Sequence, residues 1–293
     1  MGDTPYSPAE ESLFLAMMQR IDQEDVAFVV HVGDFKSGDG VCSDRVFQQR
    51  REWFDQSRHP FIYVPGDNDW TDCHRKPSGA YAPLERLAKL RALFFPDDES
   101  LGRTRLRLAR QSENLKFASY RENVRWTVGP VLFVALNIPG SNNNLGRAPD
   151  ADAEYRQRGE VNLAWLQESF ALAKRRDDAA VVVFFQANPG FEIALNPDRQ
   201  NGYRAFIEQF SRAAQAFGKP VLVAHGDTHS YRVDKPLKDP FTEKEVTNVT
   251  RVETFGSPFV NWVRVTVTPD NPTPFKFEVG KPKSEAARTL EQR

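Results

Sequence analysis

Three apolar runs in this chain each stop at a glycine and release an aspartate. The run over 26–32 leads to Gly33-Asp34, the run over 61–64 to Gly66-Asp67-Asn68-Asp69 with Asp72 close behind, and the run over 221–224 to Gly226-Asp227 with His229 two residues on. Carboxylates and amides are oxygen ligands, and the carboxyl ends of strands are where an open α/β sheet gathers its chemistry. Each glycine lets the backbone turn sharply as it leaves the strand. A single Gly-Asp reads as a turn or a helix N-cap. Three of them, all at strand exits, point to one shared site.

The elements between these exits have to bring them together. A helix is expected over 8–22, with Ser7 as N-cap, Pro8 in the first turn, and Leu13, Phe14, Met17, Met18 and Ile21 on one face. The strand over 26–32 has almost no polar alternation, as expected for a strand buried on both faces. A helix over 45–57 carries Val46, Phe47, Trp53 and Phe54 and leads to the strand at 61, an order that makes a βαβ unit with parallel strands. After a helix over 83–95, segments near 104–109, 123–128 and 131–137 follow one another without helices, which predicts an antiparallel part of the sheet. Residues 141–159 read as a long polar loop leaving the strand end at Asn137. A helix over 160–175, a strand over 179–185 with a polar exit at Gln186 and Asn188, and a helix over 203–217 restore the α/β alternation. Beyond Tyr231 the pattern is all-β, with strands over 249–255, 259–268 and 274–279. Residues 281–293 lack an apolar face and read as a loose tail, leaving 1–280 as one domain.

With 293 residues, 40% of them hydrophobic, the chain can bury a large core. Its 39 basic residues against 40 acidic ones create no global field, so long nucleic acid is not an expected partner and recognition of a phosphate has to be local. No apolar run approaches the roughly 18 residues of a membrane span, and the N-terminus lacks the regions of a signal peptide, so a soluble chain is expected. Two alternatives stay open. Cys42 and Cys73 each follow a Gly-Asp exit and form either a disulfide, which favours an oxidising, exported or periplasmic setting, or two buried thiols. Gly2-Asp3 is either a fourth exit whose strand lies upstream or a frayed terminus.

In order, the polar exits are GDTPY, VGDFKSG, PGDNDW, QANP and GDTH. The series resembles the calcineurin-like metallophosphoesterase family, whose blocks are Asp-x-His, Gly-Asp, Gly-Asn-His-(Asp/Glu), a lone His after a strand, and Gly-His-x-His. The resemblance implies a four-layer α/β/β/α sandwich with mixed sheets and a two-metal centre. It implies Asp3 and His229 on a first metal, Asp34 bridging, and Asn68, Gln186 and Asp227 on a second. Several family histidines are replaced: Pro5, Gln186, Asp227 and Asp69 stand where the family has imidazoles. Oxygen ligands in place of imidazole favour Mn²⁺, Mg²⁺, Ca²⁺ or iron over zinc. Asp69 takes the place of the family's proton-donating histidine, with His74 and His225 as substitutes, while His31 and His59 read as structural. The implied activity is metal-dependent hydrolysis of a phosphate mono- or diester by a metal-activated water. The alternative is a catalytically weak or inactive scaffold that serves as a binding module.

Overall fold

The computed structural model describes residues 1–193 and 200–280; the tail expected over 281–293 lies outside them. Ser7 caps the first helix, Pro8–Ile21 (α1), where its hydroxyl accepts the Glu10 amide and Phe14, Met17, Met18 and Ile21 are buried. Val29–His31 (β1) then leads through Asp44–Asp55 (α2) to Phe61–Tyr63 (β2), and the two strands pair in parallel as the βαβ order predicts. The helix Pro83–Phe94 (α3) packs beside α2.

The second sheet has seven strands. Ala109–Arg110 (β3), Val124–Val128 (β4) and Val131–Ala135 (β5) are antiparallel neighbours. Pro149–Arg176 (α4) separates β5 from Ala180–Phe184 (β6), and Arg204–Phe217 (α5) separates β6 from Val221–His225 (β7); these three strands run parallel. Arg232–Asp234 (β8) and Val249–Glu253 (β9) complete the order β3-β4-β5-β6-β7-β9-β8. A hairpin of Val263–Val267 (β10) and Phe275–Val279 (β11) pairs apart from it.

Layering follows from the apolar faces. Trp165, Leu166 and Phe170 of α4 and Phe206, Ile207 and Phe210 of α5 pack on Val181, Val183 and Val223 of the large sheet. Each such side chain contributes roughly 1.5–3 kcal/mol when fully buried. The opposite face of that sheet, through Phe133, Val182 and Phe184, meets Val32, Ile62 and Val64 beside β1 and β2 together with the β10–β11 hairpin. A cavity of about 480 Å³ lies between these two layers, lined in part by Phe28, Val30, Phe133, Phe184, Val263 and Val265. Beyond β1 and β2, helices α1, α2 and α3 bury Phe14, Phe47, Phe54, Leu90 and Phe94. The result is the expected four-layer α/β/β/α sandwich.

Three expectations change, and the alternative left open at Asp3 resolves. The long helix begins at Pro149 and not at 160, so the polar loop ends at 148. Pro149 in the first turn, with Asp150 and Asp152 at the positive end of the helix dipole, explains why so polar a stretch is helical. Only Ala109–Arg110 of the expected 104–109 strand pairs with β4, because residues 99–107 fold back on one another through a Glu99–Arg107 bridge. The strand expected over 259–268 is confined to Val263–Val267. Nor is Asp3 a frayed end: Met1 and Asp3 hydrogen-bond along β1, with the Val32 amide donating to the Met1 carbonyl and the Asp3 amide to that of Gly33, and the Asp3 side chain is fully buried. The cysteine alternative resolves as a Cys42–Cys73 disulfide. Among the described residues no helix is long and apolar enough to cross a membrane.

Candidate metal centre

The strand exits meet where β1, β2, β6 and β7 end. Asp3, Asp34, Asp227 and His229 all sit at positive φ, between 52° and 83°. Non-glycine residues rarely hold that conformation, and it concentrates at functional sites where the surroundings enforce it. Here the enforcement comes from hydrogen bonds between exits. Both Asp3 oxygens accept the Asp227 amide, at 3.0 and 3.1 Å, and Asp34 Oδ1 accepts the Asn68 amide at 3.0 Å. Burial pushes the Asp3 carboxyl well above the usual range, reinforced by Asp227. Asp34 is raised in the same way, first by burial and then by Asp67 and Asp69. Asp227 is pushed up to about 7, by burial and then by Asp67.

The side chains over these carboxylates are mostly donors. Asp34 Oδ2 accepts the Tyr6 hydroxyl at 3.1 Å and Gln186 Nε2 at 3.2 Å. Gln186 Nε2 also reaches Asp3 Oδ1 at 3.4 Å, while its carbonyl accepts the Gly140 amide at 2.6 Å. Asn68 turns its amide nitrogen to the Tyr6 oxygen at 2.9 Å. His229 is the exception. Its Nδ1 lies 2.7 Å from the Ser257 carbonyl and donates to it, because a carbonyl can only accept. That leaves Nε2 on the inner side of the ring, facing Asp3 Oδ1 at 3.8 Å, beyond hydrogen-bond reach.

A second ring surrounds this centre. Ser141 Oγ lies 2.8 Å from Asp67 Oδ2 and 2.9 Å from Asp72 Oδ2, and Arg75 pairs with Asp72 at 2.7 Å. Burial raises Asp72 to about 6. Lys36 is buried against the same carboxylates, and burial lowers its pKa. A Cβ at residue 140 would come within 2.8 Å of Asp67 Oδ2 and 2.9 Å of Asp227 Oδ1, so glycine there lets these carboxylates keep their places. From it springs a turn in which Ser141, Asn142, Asn143 and Asn144 are all left-handed.

A family model for the calcineurin-like phosphoesterase matches residues 2–231. The chain belongs to that family. Among solved structures PhoD matches with a TM-score of 0.50 at 12% identity, over 85% of this chain and 54% of the PhoD chain, which shows a shared fold. This chain thus spans about half the length of that relative. No curated protein matches it.

Family membership implies divalent metal, and the side chains present fit that implication in part. Among the described residues no three His, Cys, Asp or Glu side chains are grouped as ready ligands for one ion. Asp3 and His229, however, face each other across 3.8 Å with no hydrogen bond between them, a gap that a cation held by both could fill. A hard ion such as Mg²⁺ or Mn²⁺ tolerates so few protein ligands because it keeps several waters. The second set expected from the sequence presents differently. The Gln186 carbonyl is engaged by Gly140, Asn68 offers its amide nitrogen, and one oxygen of Asp227 accepts the Asn188 amide at 2.7 Å.

The proposed proton donors are also placed differently from expectation. Asp69 is fully buried and accepts the amides of Asp34, Phe35 and Gly66 and the Tyr63 hydroxyl, at 2.7–3.0 Å. Four donors on two oxygens make it the clamp that joins the β1 and β2 exits. His225 stacks on Phe185 at 5.8 Å in the core under α5, and burial draws it down to about 3, so it stays neutral. His74 is exposed on a short turn, its Nδ1 2.8 Å from the Thr71 carbonyl. His31 and His59 are buried against the Thr4 and Ile21 carbonyls and are structural, as expected. Sequence reasoning missed Tyr6 and Ser141. Each carried a signal, since Tyr6 stands three residues after Asp3 in the GDTPY exit and Ser141 directly follows the exit of β5.

Proposed function

We propose that this chain hydrolyses a phosphoester with the help of one hard divalent cation held by Asp3 and His229. The observation that carries this reading is the placement of His229, whose Nδ1 is held by the Ser257 carbonyl so that Nε2 faces the Asp3 carboxylate at 3.8 Å. A bound Mg²⁺, Mn²⁺ or Fe²⁺ would polarise a phosphoryl oxygen and make a coordinated water a nucleophile near neutral pH. The chain's own groups supply the rest. The Tyr6 hydroxyl and the Asn68 amide line the centre as neutral hydrogen-bond donors, and Lys36 and Arg75 set positive charge beside it.

Two features narrow the substrate. Six carboxyl groups, Asp3, Asp34, Asp67, Asp69, Asp72 and Asp227, crowd the centre and leave it little tolerance for further negative charge. That favours a singly charged phosphodiester over a doubly charged monoester. With Asp69 committed to four donors and His225 buried neutral, neither protonates a leaving group, so esters with acidic leaving groups are favoured. The Cys42–Cys73 disulfide supports an oxidising compartment, such as an exported or periplasmic one.

One observation favours a second reading, a scaffold that binds phosphoesters without turnover. The Asp34 carboxylate already accepts three protein donors. Hydrolysis of aryl phosphodiesters and monoesters by metal-stripped protein, re-fed with Mn²⁺, Mg²⁺, Ca²⁺, Fe²⁺ or Zn²⁺, separates the two. The expected result is diester turnover with Mn²⁺ or Mg²⁺ that falls at least about a hundredfold in His229→Ala. Equal rates in the two proteins would overturn the assignment of His229, and no turnover with any metal would leave the binding reading.

A further inference from the structure

We infer that the side-chain amide of Gln186 stands in for a second cation, and that it limits this centre to one metal ion. The inference rests on the cation site proposed above and concerns a different residue. Gln186 is fully buried at the exit of β6, and its two ends are held in opposite ways. Its carbonyl accepts the Gly140 amide at 2.6 Å. Because a backbone N–H can only donate, that contact fixes which end of the amide is oxygen. The NH₂ end therefore faces the centre, where one hydrogen goes to Asp3 at 3.4 Å and the other to Asp34 at 3.2 Å. A neutral group with two divergent N–H bonds thus joins the two carboxylates that would otherwise need a shared cation between them.

The amide cannot easily turn round. Rotating its carbonyl into the centre would strip the Gly140 N–H of its acceptor, and an unsatisfied buried donor costs roughly 1–3 kcal/mol. It would also abandon both carboxylate contacts. Gly140 cannot follow, because it is wedged between Asp67 and Asp227 and leads into the left-handed turn. That turn is itself locked. The Asn143 amide donates to Tyr203 Oη at 3.1 Å, Tyr203 donates to the Pro139 carbonyl, and the buried Arg158 donates to the side chain and carbonyl of Asn143. Asn68 repeats the pattern, since its amide donates to Tyr6 Oη and Tyr6 donates to Asp34.

The test is metal stoichiometry, which needs no substrate. Stripped protein is dialysed against Mn²⁺, bound metal is counted by atomic emission, and paramagnetic resonance reports whether two ions are coupled. Wild type is expected to hold one Mn²⁺ per chain with an uncoupled spectrum. Gln186→Glu keeps one oxygen for Gly140 and turns an anionic oxygen toward Asp3 and Asp34, so it is expected to hold two with the multiline spectrum of a coupled pair. Two coupled ions in wild type, or one ion in Gln186→Glu, would overturn the role of Gln186. No bound ion in wild type would instead sink the cation site itself. Should Gln186→Glu not fold without metal, Gln186→Met decides, because it keeps the volume and removes the bridge. Mn²⁺ is expected to raise its melting temperature more than that of wild type, and an equal rise would count against the inference.

Discussion

The exits after β2 and β7 carry nearly the same signature, a glycine followed by carboxylates, yet they are built for opposite ends. After β2, Asp69 lies fully buried under four donors, and the following turn is stapled to the loop after β1 by Cys42–Cys73. After β7, Asp227 and His229 hold left-handed conformations, and His229 stays about a quarter exposed with Nε2 aimed at Asp3. A carboxylate saturated with protein donors is structural, while a ring nitrogen that faces a carboxylate from beyond hydrogen-bond reach is open to a ligand. The two exits differ in what already fills their lone pairs, not in residue type.

The sharpest break of this contrast is Asp69→Asn. Three donors converge on Oδ2 and only the Phe35 amide on Oδ1, so the new NH₂ would face Phe35, leaving that buried donor unsatisfied at roughly 1–3 kcal/mol and taking the charge from the other three bonds. A loss on the order of 4 kcal/mol is expected in chemical denaturation, far more than a surface substitution gives. A loss under about 1 kcal/mol would mean that the clamp is not what holds the β1 and β2 exits together.

Acidity probes the carboxylate cluster as a whole. Asp227, at about 7 in the folded chain against an ordinary 3.8, binds its proton more tightly when folded, and Asp72, at about 6, behaves likewise. A raised carboxyl contributes stability at pH values below about 4 and loses it as pH climbs through the folded value. Metal-free protein is therefore expected to lose stability between about pH 4 and 7, by on the order of 4 kcal/mol at most from Asp227. Saturating Mn²⁺ should flatten the slope, since a cation satisfies the same charge. Melting curves across that range check it, and stability that rises with pH in stripped protein would contradict it.

The staple comes next. Closing a loop between cysteines 31 residues apart removes unfolded-state entropy worth roughly 3 to 4 kcal/mol. Cys42→Ser with Cys73→Ser should lower the unfolding free energy from chemical denaturation by about that amount, whereas reductant should have no further effect on the double variant.

Much of this architecture was legible because it rests on local pattern. Apolar runs of strand length, helical spacing of Phe14, Met17 and Ile21, and glycine before each exit aspartate are properties of neighbouring residues. What stayed hidden depends on partners far along the chain. Which end of the Gln186 amide faces inward is set by the Gly140 amide, 46 residues away, and the Asp69 role is set by Tyr63 of β2 and by backbone donors at the exits of β1 and β2 that no motif spells out. The start of α4 was hidden for another reason. Its first three turns are polar enough to read as loop, and the buried contacts of Arg158 with Asn137 and Asn143 add to the local helix-start signals in ordering them.

The smallest effect on the fold, and the most telling for the contrast, is expected from His229→Ala. His229 is partly exposed, its Nδ1 bond to Ser257 is one hydrogen bond, and its ring meets Tyr6 edge-on at 5.1 Å. Losing one such bond typically costs about 1 kcal/mol, so metal-free stability should barely change. The response to metal should change completely. At a hundred times its dissociation constant a bound ion stabilises the folded state by about 2.7 kcal/mol, and without Nε2 that gain should shrink to near zero. Asp69→Asn should do the reverse, lowering stability while keeping a metal-induced rise in melting temperature. If both variants lost stability and metal response together, the two exits would be one cooperative unit and the division between clamp and ligand would fail.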